Sequence, residues 1–347
     1  MDERGERGRL SAPGRLEAGA VVVPEAPRVA DQPLADLAAQ HGLRLSGARP
    51  SLSRYIAMLW QRRHFIWGFA TARSVSMYTE ARLGQLWQVL TPLLNAGVYY
   101  LIFGLLFQAS RGVENYAAFL LAGVFVFAFT ERSIVTGSNV MRANLQLIRA
   151  LYFPRASLPL AYVLVELQQM LVGFVVLIPV MLISHEPLSW YWFLLIPTVI
   201  LQTMFNVGAA LIVARLGGSM ADVSELIPFI LRITRYFCGV MYMVTTLPAA
   251  VPEWGVKLLS LNPPAVYISL VRVALMQSYR QNSPGNQPYS AAQCALFHLH
   301  KNPPLQAYCH AVVTNNDLWI AAVGWGIGFF VLGIIFFWQA ESKYGRG

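Results

Sequence analysis

Lysine and cysteine are scarce in this chain, and each shortage excludes a class of protein. Among 347 residues there are only three lysines and three cysteines. A Walker A loop needs glycine directly before its lysine, but the residues before the three lysines are Val256, His300 and Ser342. The chain therefore contains no such nucleotide-binding loop. Three cysteines are also too few for a disulfide scaffold.

Charged residues are scarce as well, at 12% against 56% hydrophobic residues. Soluble domains carry about 25% charged residues, so the composition excludes an ordinary soluble enzyme and a disordered protein. The formal net charge of +9 arises entirely after residue 50, because residues 1–50 carry seven arginines and seven acidic residues. Basic charge within the apolar part of a chain indicates membrane topology, and we expect no nucleic-acid partner.

The first 82 residues divide into two regions. Residues 1–50 are rich in Gly, Pro, Ala and Arg without apolar periodicity, which predicts a disordered cytoplasmic tail. In residues 51–82, the stretch Leu52–Ala70 places Leu, Tyr, Ile and Trp on one broad side of a helical wheel, although Arg63 intrudes on it. This pattern predicts a basic amphipathic helix in the membrane interface; a helix buried against another protein is the alternative.

Six apolar segments have the length of about 20 residues that a helix needs to cross a bilayer. They are Leu86–Phe107, Tyr116–Thr136, Pro159–Ile183, Tyr191–Arg215, Leu226–Leu247 and Leu318–Trp338. The sequence therefore predicts an all-α integral membrane protein, with a six-span transmembrane domain over residues 83–342.

The positions of the arginines predict the orientation of these spans. Five arginines precede the first span and three lie between the second and third, whereas the loop between the third and fourth has no Lys or Arg. Short basic loops remain in the cytoplasm. We therefore expect a multi-pass protein of the cytoplasmic (inner) membrane with both termini in the cytoplasm, and residues 248–317 as an external loop.

Two other segments carry candidate sites. Residues 139–158 combine apolar and basic side chains at helical spacing, and Pro154 would end a helix formed there. This is either a short helix that fits a groove on a soluble partner or an ordinary basic loop. The external loop carries Cys294 and Cys309, a candidate disulfide because the outside is oxidising. Free thiols, or a metal held with His298, are the alternatives.

Three motifs, in order along residues 50–340, resemble the ABC-2 type exporter permeases. The LGxLW sequence at residues 83–87, followed by Pro92 and LIFG at 101–104, resembles their first span. The sequence at 144–159 resembles their coupling-helix region, and Asn262-Pro263 followed by Arg272 resembles the segment before their last span. The interfacial helix and the LGxLW entry look most like the polysaccharide branch, which exports lipid-linked O-antigen, teichoic acid or galactan.

The resemblance implies that different subunits form the transport pathway and hydrolyse ATP. Two copies of this chain would form the pathway, and two copies of a separate ABC ATPase would bind ATP and Mg²⁺, so this chain would be neither an enzyme nor a cofactor-binding protein. Its ATPase-coupling residues would be Arg142, Asn144, Leu145, Ile148, Arg149, Tyr152, Phe153 and Pro154.

The substrate implied by the resemblance is a lipid-linked cell-envelope polysaccharide. Arg232 and Arg235 are the candidate contacts for its diphosphate; alternatively they pair with Glu131 or Glu166, or extend to the membrane interface. A drug or small-lipid exporter of the same architecture is the alternative function. A membrane glycosyltransferase is less favoured, because no DxD, HExxH or GxSxG motif occurs. The external loop from Gln277 to Asp317 is longer than expected for the family.

Overall fold

A computed structural model describes residues 51–77, 82–106, 115–151, 153–244, 252–282 and 313–341, and these residues are built from α-helices with short 3₁₀ and π segments. The predicted tail, residues 1–50, lies outside the described residues. In chain order the α-helices are α1 Leu52–Gln61, α2 Arg63–Ser76, α3 Trp87–Tyr99, α4 Tyr116–Ala143, α5 Leu145–Ala150, α6 Ser157–Ile183, α7 Leu195–Ser219, α8 Ala221–Phe237, α9 Glu253–Ser260, α10 Pro263–Leu275, α11 Gln277–Asn282 and α12 Asn315–Ala340.

Five segments among the described residues are long and apolar enough to cross a bilayer. They are Val89–Leu106, Tyr116–Ala143, Ser157–Ile183, Trp190–Ser219 and Asn315–Ala340. The first joins α3 to the π-helix Tyr100–Leu106, and the fourth joins the 3₁₀ turn Trp190–Leu194 to α7. These segments overlap the first, second, third, fourth and sixth predicted spans, which confirms the all-α membrane architecture.

The core forms around α4, which packs against α6 and α7, while α7 packs against α12. Glycines bring these helices close together. A Cβ atom built on Gly333 of α12 would lie 2.6 Å from Cα of Gly208 on α7, and one on Gly137 of α4 would lie 3.0 Å from Cα of Ala210. Small residues at such crossings let helix backbones approach closely, which is how membrane helices associate.

The predicted fifth span, Leu226–Leu247, is wrong as a continuous helix. Helix α8 begins earlier, at Ala221, and ends at Phe237. Its 17 residues are about 25 Å long, less than the bilayer core of about 30 Å. After α8 the chain turns at Gly239, whose φ of +69° lies in the left-handed region that favours glycine.

Helices α9 and α10 lie within the segment that the sequence predicted to be an external loop. The pair is bent by 73° at the break between them. At the break, the Leu261 carbonyl accepts a hydrogen bond from Trp325 Nε1 at 2.9 Å, and Trp325 lies about 15 Å along α12 from its first residue. Beyond α10, the Gln277 amide donates to Glu186, just outside α6, at 2.7 Å. The α9–α10 pair therefore enters the bundle from the end that holds Glu186 and the start of α12, reaches the depth of Trp325 and returns to the same end.

Arg272 on α10 explains how a non-helical turn is accommodated after α8. Its guanidinium is buried and donates from Nη1 to the Gly239 carbonyl and from Nη2 to the Val240 carbonyl, both at 2.7 Å. It also donates to the Phe119 carbonyl on α4 at 3.1 Å and lies 3.3 Å from the centre of the Phe119 ring. Backbone groups outside a helix must be satisfied within protein at membrane depth, and Arg272 provides the donors.

The region 51–82 contains two helices, α1 and α2, which meet at Arg62. Tyr55 and Leu59 are buried on the protein side, whereas Trp60 and Trp67 are exposed on the other. Helix α2 packs along α6. An exposed aromatic face on a basic helix pair agrees with the expected interfacial position, and its placement in a bilayer stays a prediction.

Candidate functional site

The bundle has two polar ends, and most described arginines outside the core belong to one of them, which we call the basic end. There α4 ends, α6 and α8 begin and α12 ends, as two contacts show. Ser224 Oγ at the start of α8 donates to the Ser138 carbonyl on α4 at 3.2 Å. The Arg155 amide before α6 donates to Glu341 after α12 at 3.2 Å.

The predicted partner-contacting segment forms the separate short helix α5 at the basic end. The helix ends at Ala150, earlier than the predicted stop at Pro154, because Leu151 is extended. Arg142, Leu145 and Arg149 are exposed and Ile148 is half-buried. The structure therefore presents two basic side chains and one apolar side chain on an outward-facing surface. Tyr152 lies outside the described residues.

The ends of this segment are anchored to the bundle. Asn144 Nδ2 donates to the Val140 carbonyl at 2.8 Å and to Tyr162 Oη on α6 at 3.3 Å. The Phe153 ring lies 5.7 Å, centre to centre, from Phe65 on α2. Pro154 is buried. Of the eight predicted coupling residues, these three hold the segment in place, whereas Arg142, Leu145 and Arg149 face outward.

A second polar cluster at the basic end was not predicted from the sequence. Tyr55 Oη donates to Glu341 Oε2 at 2.9 Å, and the same hydroxyl accepts from the Ala156 amide at 3.3 Å. Burial, and then the neighbouring carboxylate, raise the pKa of the Tyr55 hydroxyl well above its ordinary value. Burial also raises the pKa of the Glu341 carboxyl, against the effect of the hydrogen bonds from the Arg155 amide and Tyr55. We call Tyr55, Glu341 and the amides of Arg155 and Ala156 the Tyr55–Glu341 link.

A cavity of about 350 Å³ opens between α3, α4 and α8, beside the middle part of α4. Its polar lining consists of Asn95, Tyr99, Glu131, Arg132, Thr136 and Arg235. The ionised groups among them are one carboxylate and two guanidiniums, so the cavity has an excess of positive charge. Such a cavity suits an anionic group that is bound to an apolar chain.

Arg235, one of the two predicted diphosphate contacts, lies in this cavity with its guanidinium already paired. Its Nη2 contacts the Glu131 carboxylate in an ion pair, and its Nη1 donates to Tyr99 Oη at 2.7 Å. Its Nε is buried without a hydrogen-bond partner among the described residues. In this conformation Arg235 is therefore paired with Glu131, which was the alternative to a diphosphate contact.

Arg132 was not among the predicted site residues, but it lines the same cavity. Its Nη1 donates to Gln169 Oε1 on α6 at 2.7 Å, and Glu166, also on α6, lines a small neighbouring pocket with it. Arg232, the other predicted diphosphate contact, is exposed and does not line the cavity. The structure therefore brings Arg132, rather than Arg232, together with Arg235.

Glu186 organises the opposite end of the bundle. Its carboxylate accepts from Asn115 Nδ2 before α4 at 2.6 Å, from the Gln277 amide at 2.7 Å and from the Ser278 hydroxyl. Burial opposes ionisation, but these hydrogen bonds together hold the pKa of the carboxyl below its ordinary value of 4.5. Cys294 and Cys309, the candidate disulfide, lie outside the described residues.

Sequence signals existed for some of these unpredicted features. Asn262 before two prolines is a typical helix start, and α10 begins at Pro263 with Asn262 as its N-cap residue. Glu186 and Glu341 offered no comparable signal, because each lies in a short connection or at a helix end. Their roles depend on which distant residues the fold brings next to them.

Comparisons with known proteins agree with this geometry. Two relatives from Klebsiella pneumoniae, each described as "O-antigen export system permease protein RfbA", are 29% and 28% identical to this chain over 174 residues. Each match covers 49% of this chain and 66% of the relative, slightly less than two thirds of its length. The family model for ABC-2 type transporters matches residues 66–276, more than half of the chain. The chain therefore belongs to the ABC-2 type transporter family.

Proposed function

We propose that this chain is the membrane-spanning permease subunit of an ATP-driven exporter that moves a lipid-linked cell-envelope polysaccharide out across the cytoplasmic membrane. The observation that carries the substrate class is its similarity to two permeases described as exporting O-antigen. O-antigen, teichoic acid and galactan types are all within this proposal.

The motor in this proposal is a separate ABC ATPase, which binds ATP and Mg²⁺. Two features support a separate motor: the chain has no Walker A loop, and it has an exposed short helix. No lysine of the chain stands in a Walker A loop, whereas Arg142, Leu145 and Arg149 face outward on and beside α5. A short exposed helix with an apolar side chain between basic ones can fill a groove on a soluble partner. We propose two copies of the ATPase and two of this chain.

The cavity supports a route for the charged headgroup. Arg232 and Arg235 remain our candidate diphosphate contacts, and Arg132 is added because it lines the cavity with Arg235. Arginine matches phosphate geometry through paired N–H donors. A diphosphate that enters the cavity would compete with Glu131 for Arg235.

Co-purification of the chain with its ATPase, in nanodiscs of phosphatidylethanolamine and phosphatidylglycerol, tests the proposal. We expect ATP hydrolysis to rise when the lipid-linked glycan is added, and glycolipid to accumulate inside cells depleted of the chain. Arg235→Ala should reduce the stimulation roughly tenfold or more, since a charge-assisted hydrogen bond contributes about 1.5–3 kcal/mol.

Arg149→Ala, at an exposed position, distinguishes contact with the ATPase from contact with the substrate. It should weaken ATPase binding and leave unchanged the glycan concentration that gives half-maximal stimulation of ATP hydrolysis. Stimulation by a drug or a small lipid, but not by the glycan, would favour the alternative exporter. Normal export by well-expressed Arg235→Ala protein would remove Arg235 as a substrate contact.

A further inference from the structure

The Tyr55–Glu341 link joins three parts of the chain that are distant in sequence. Tyr55 belongs to α1, and Glu341 follows the last residue of α12. Arg155 and Ala156 end the stretch from the start of α5 to the start of α6, residues 145–156, which we call the coupling segment. One oxygen of the Glu341 carboxylate accepts from the Tyr55 hydroxyl and the other accepts from the Arg155 amide. A single side chain therefore connects α1, the coupling segment and the last span.

The link lies at a helix start that favours a carboxylate. Ala156 is the N-cap residue of α6, a helix of 27 residues. The first amides of a helix have no partner within it, and the positive end of the helix dipole attracts negative charge. Glu341 accepts from the Arg155 amide one residue before this cap, and Tyr55 accepts from the Ala156 amide itself. Both groups thus fix the position at which α6 begins.

The link is also rigid. Tyr55 is 1% exposed and belongs to the main hydrophobic core. Its hydroxyl is used twice, once as a donor to Glu341 and once as an acceptor from Ala156. Because a buried hydroxyl loses free energy when it lacks a partner, a displacement of Ala156 must move Tyr55 and Glu341 with it or break these hydrogen bonds.

We propose that Tyr55 and Glu341 are positioning residues that transmit movement of the coupling segment to the last span and to the interfacial helices. Movement of α5 displaces residues 153–156. The Tyr55–Glu341 link transmits this displacement to α1 and to the end of α12 at the basic end. This inference rests on the proposed ATP-driven function, but not on the identity of the substrate.

Hydrogen exchange measured on the full complex of the chain and its ATPase tests this proposal without any substrate. In the unaltered complex, ATP should change the exchange of backbone amides both at residues 145–150 and at residues 336–341. In Tyr55→Phe, the change at 145–150 should remain and the change at 336–341 should be strongly reduced, because only the hydrogen bond from the Arg155 amide to Glu341 then joins the two parts. Export per ATP hydrolysed should also fall, by about tenfold or more, because the variant loses both hydrogen bonds of the Tyr55 hydroxyl and tenfold corresponds to about 1.4 kcal/mol.

Tyr116→Phe is the matched control. Tyr116 is also a buried tyrosine, 5% exposed, whose hydroxyl donates a single hydrogen bond of 2.8 Å, but to the Met241 carbonyl at the opposite end of the bundle. It should leave the ATP-dependent change at 336–341 intact. If Tyr116→Phe reduces that change as much as Tyr55→Phe does, the effect is general destabilisation and the proposal is wrong.

A double-variant cycle tests whether the link acts as a unit. Glu341→Gln removes the charge and one acceptor, so Tyr55→Phe combined with Glu341→Gln should be no worse than the more severe single variant. The proposal is wrong if the effects of the two variants multiply. It is also wrong if the ATP-dependent change at 336–341 is undiminished in Tyr55→Phe or is absent from the unaltered complex. Failure of glycan stimulation alone would overturn the proposed substrate but not the link, because the exchange experiment contains no glycan.

Discussion

At the scale of single residues, a few buried polar side chains hold the connections between helices. Arg272 donates to three carbonyl groups, on α4 and in the turn after α8, and Glu186 accepts from three residues, at the start of α4 and in α11. A side chain with several hydrogen bonds in an apolar surrounding is costly to truncate, because each lost partner leaves a buried group unsatisfied. These residues should therefore dominate the sensitivity of the bundle to mutation.

Glu186 gives a prediction whose sign depends on pH. Since the folded-state pKa of this carboxyl is below its ordinary value of 4.5, its ionised form stabilises the fold above that pH, and this stability is lost as the pH falls through the folded-state pKa. Glu186→Gln should lower the free energy of unfolding by about 2 kcal/mol near pH 7. Thermal unfolding in detergent should show that the difference between the two proteins shrinks below about pH 4.

The control for this experiment is Glu225→Gln, a change of the same chemistry at an exposed position on α8. It should alter the melting temperature little at either pH. If Glu186→Gln lowers the stability as much at low pH as at neutral pH, the ionised form of Glu186 is not the source of that stability.

At the scale of elements, close packing at glycines joins α7 to α12, together with a hydrogen bond from Arg215 on α7 to the Phe336 carbonyl on α12. Gly208 and Gly333 face each other, and a Cβ on Gly333 would meet the Gly208 backbone. Backbone cannot move aside as a flexible side chain can, so added volume must displace a whole helix. This crossing therefore fixes where α12 ends and, with it, where Glu341 lies.

Gly333→Ala should destabilise the bundle by about 1–3 kcal/mol, the usual cost of overpacking, and lower its melting temperature in detergent. Gly328→Ala on the same helix provides a matched comparison, because a Cβ there meets nothing within 4 Å. It should be neutral or slightly stabilising, since alanine favours helix over glycine. Equal losses in both variants would show that glycine content, not the crossing, determines stability.

At the scale of the whole molecule, the distribution of charge and the arrangement of the ends point the same way. The arginines at 142, 149 and 155 lie at the basic end, where α12 also ends. The opposite end holds the Glu186 cluster and the return of the α9–α10 pair. The positive-inside rule predicts that the basic end faces the cytoplasm.

Labelling intact cells with a membrane-impermeant maleimide tests this orientation. In a background with the three native cysteines replaced by serine, Leu188→Cys should react, because Leu188 is 68% exposed at the opposite end. Gln146→Cys, exposed on α5, should react only after the membrane is permeabilised. The reverse pattern would place α5 outside the cell and exclude its contact with a cytoplasmic ATPase.

Periodicity and apolar length predicted most of the fold, because bilayer thickness sets how many apolar residues a span needs. Five of six predicted spans correspond to long helices for that reason. The exception, Leu226–Leu247, failed because hydropathy does not distinguish a continuous helix from a short helix followed by a turn. Such a turn is tolerated at membrane depth only when another element supplies hydrogen-bond partners, and here the partner, Arg272, is more than 30 residues away.

The sequence by itself determined that this protein crosses a membrane several times and contains no Walker A loop, and it predicted a basic segment between the second and third spans. Only the tertiary structure decided that Arg235 is paired with Glu131, that Arg132 shares its cavity, and that Tyr55 meets Glu341 across 286 residues of sequence. The physical reason is that hydrophobic burial depends on local composition, which a sequence displays directly. Buried polar groups need specific partners, and the helix packing brings those partners together from distant parts of the chain.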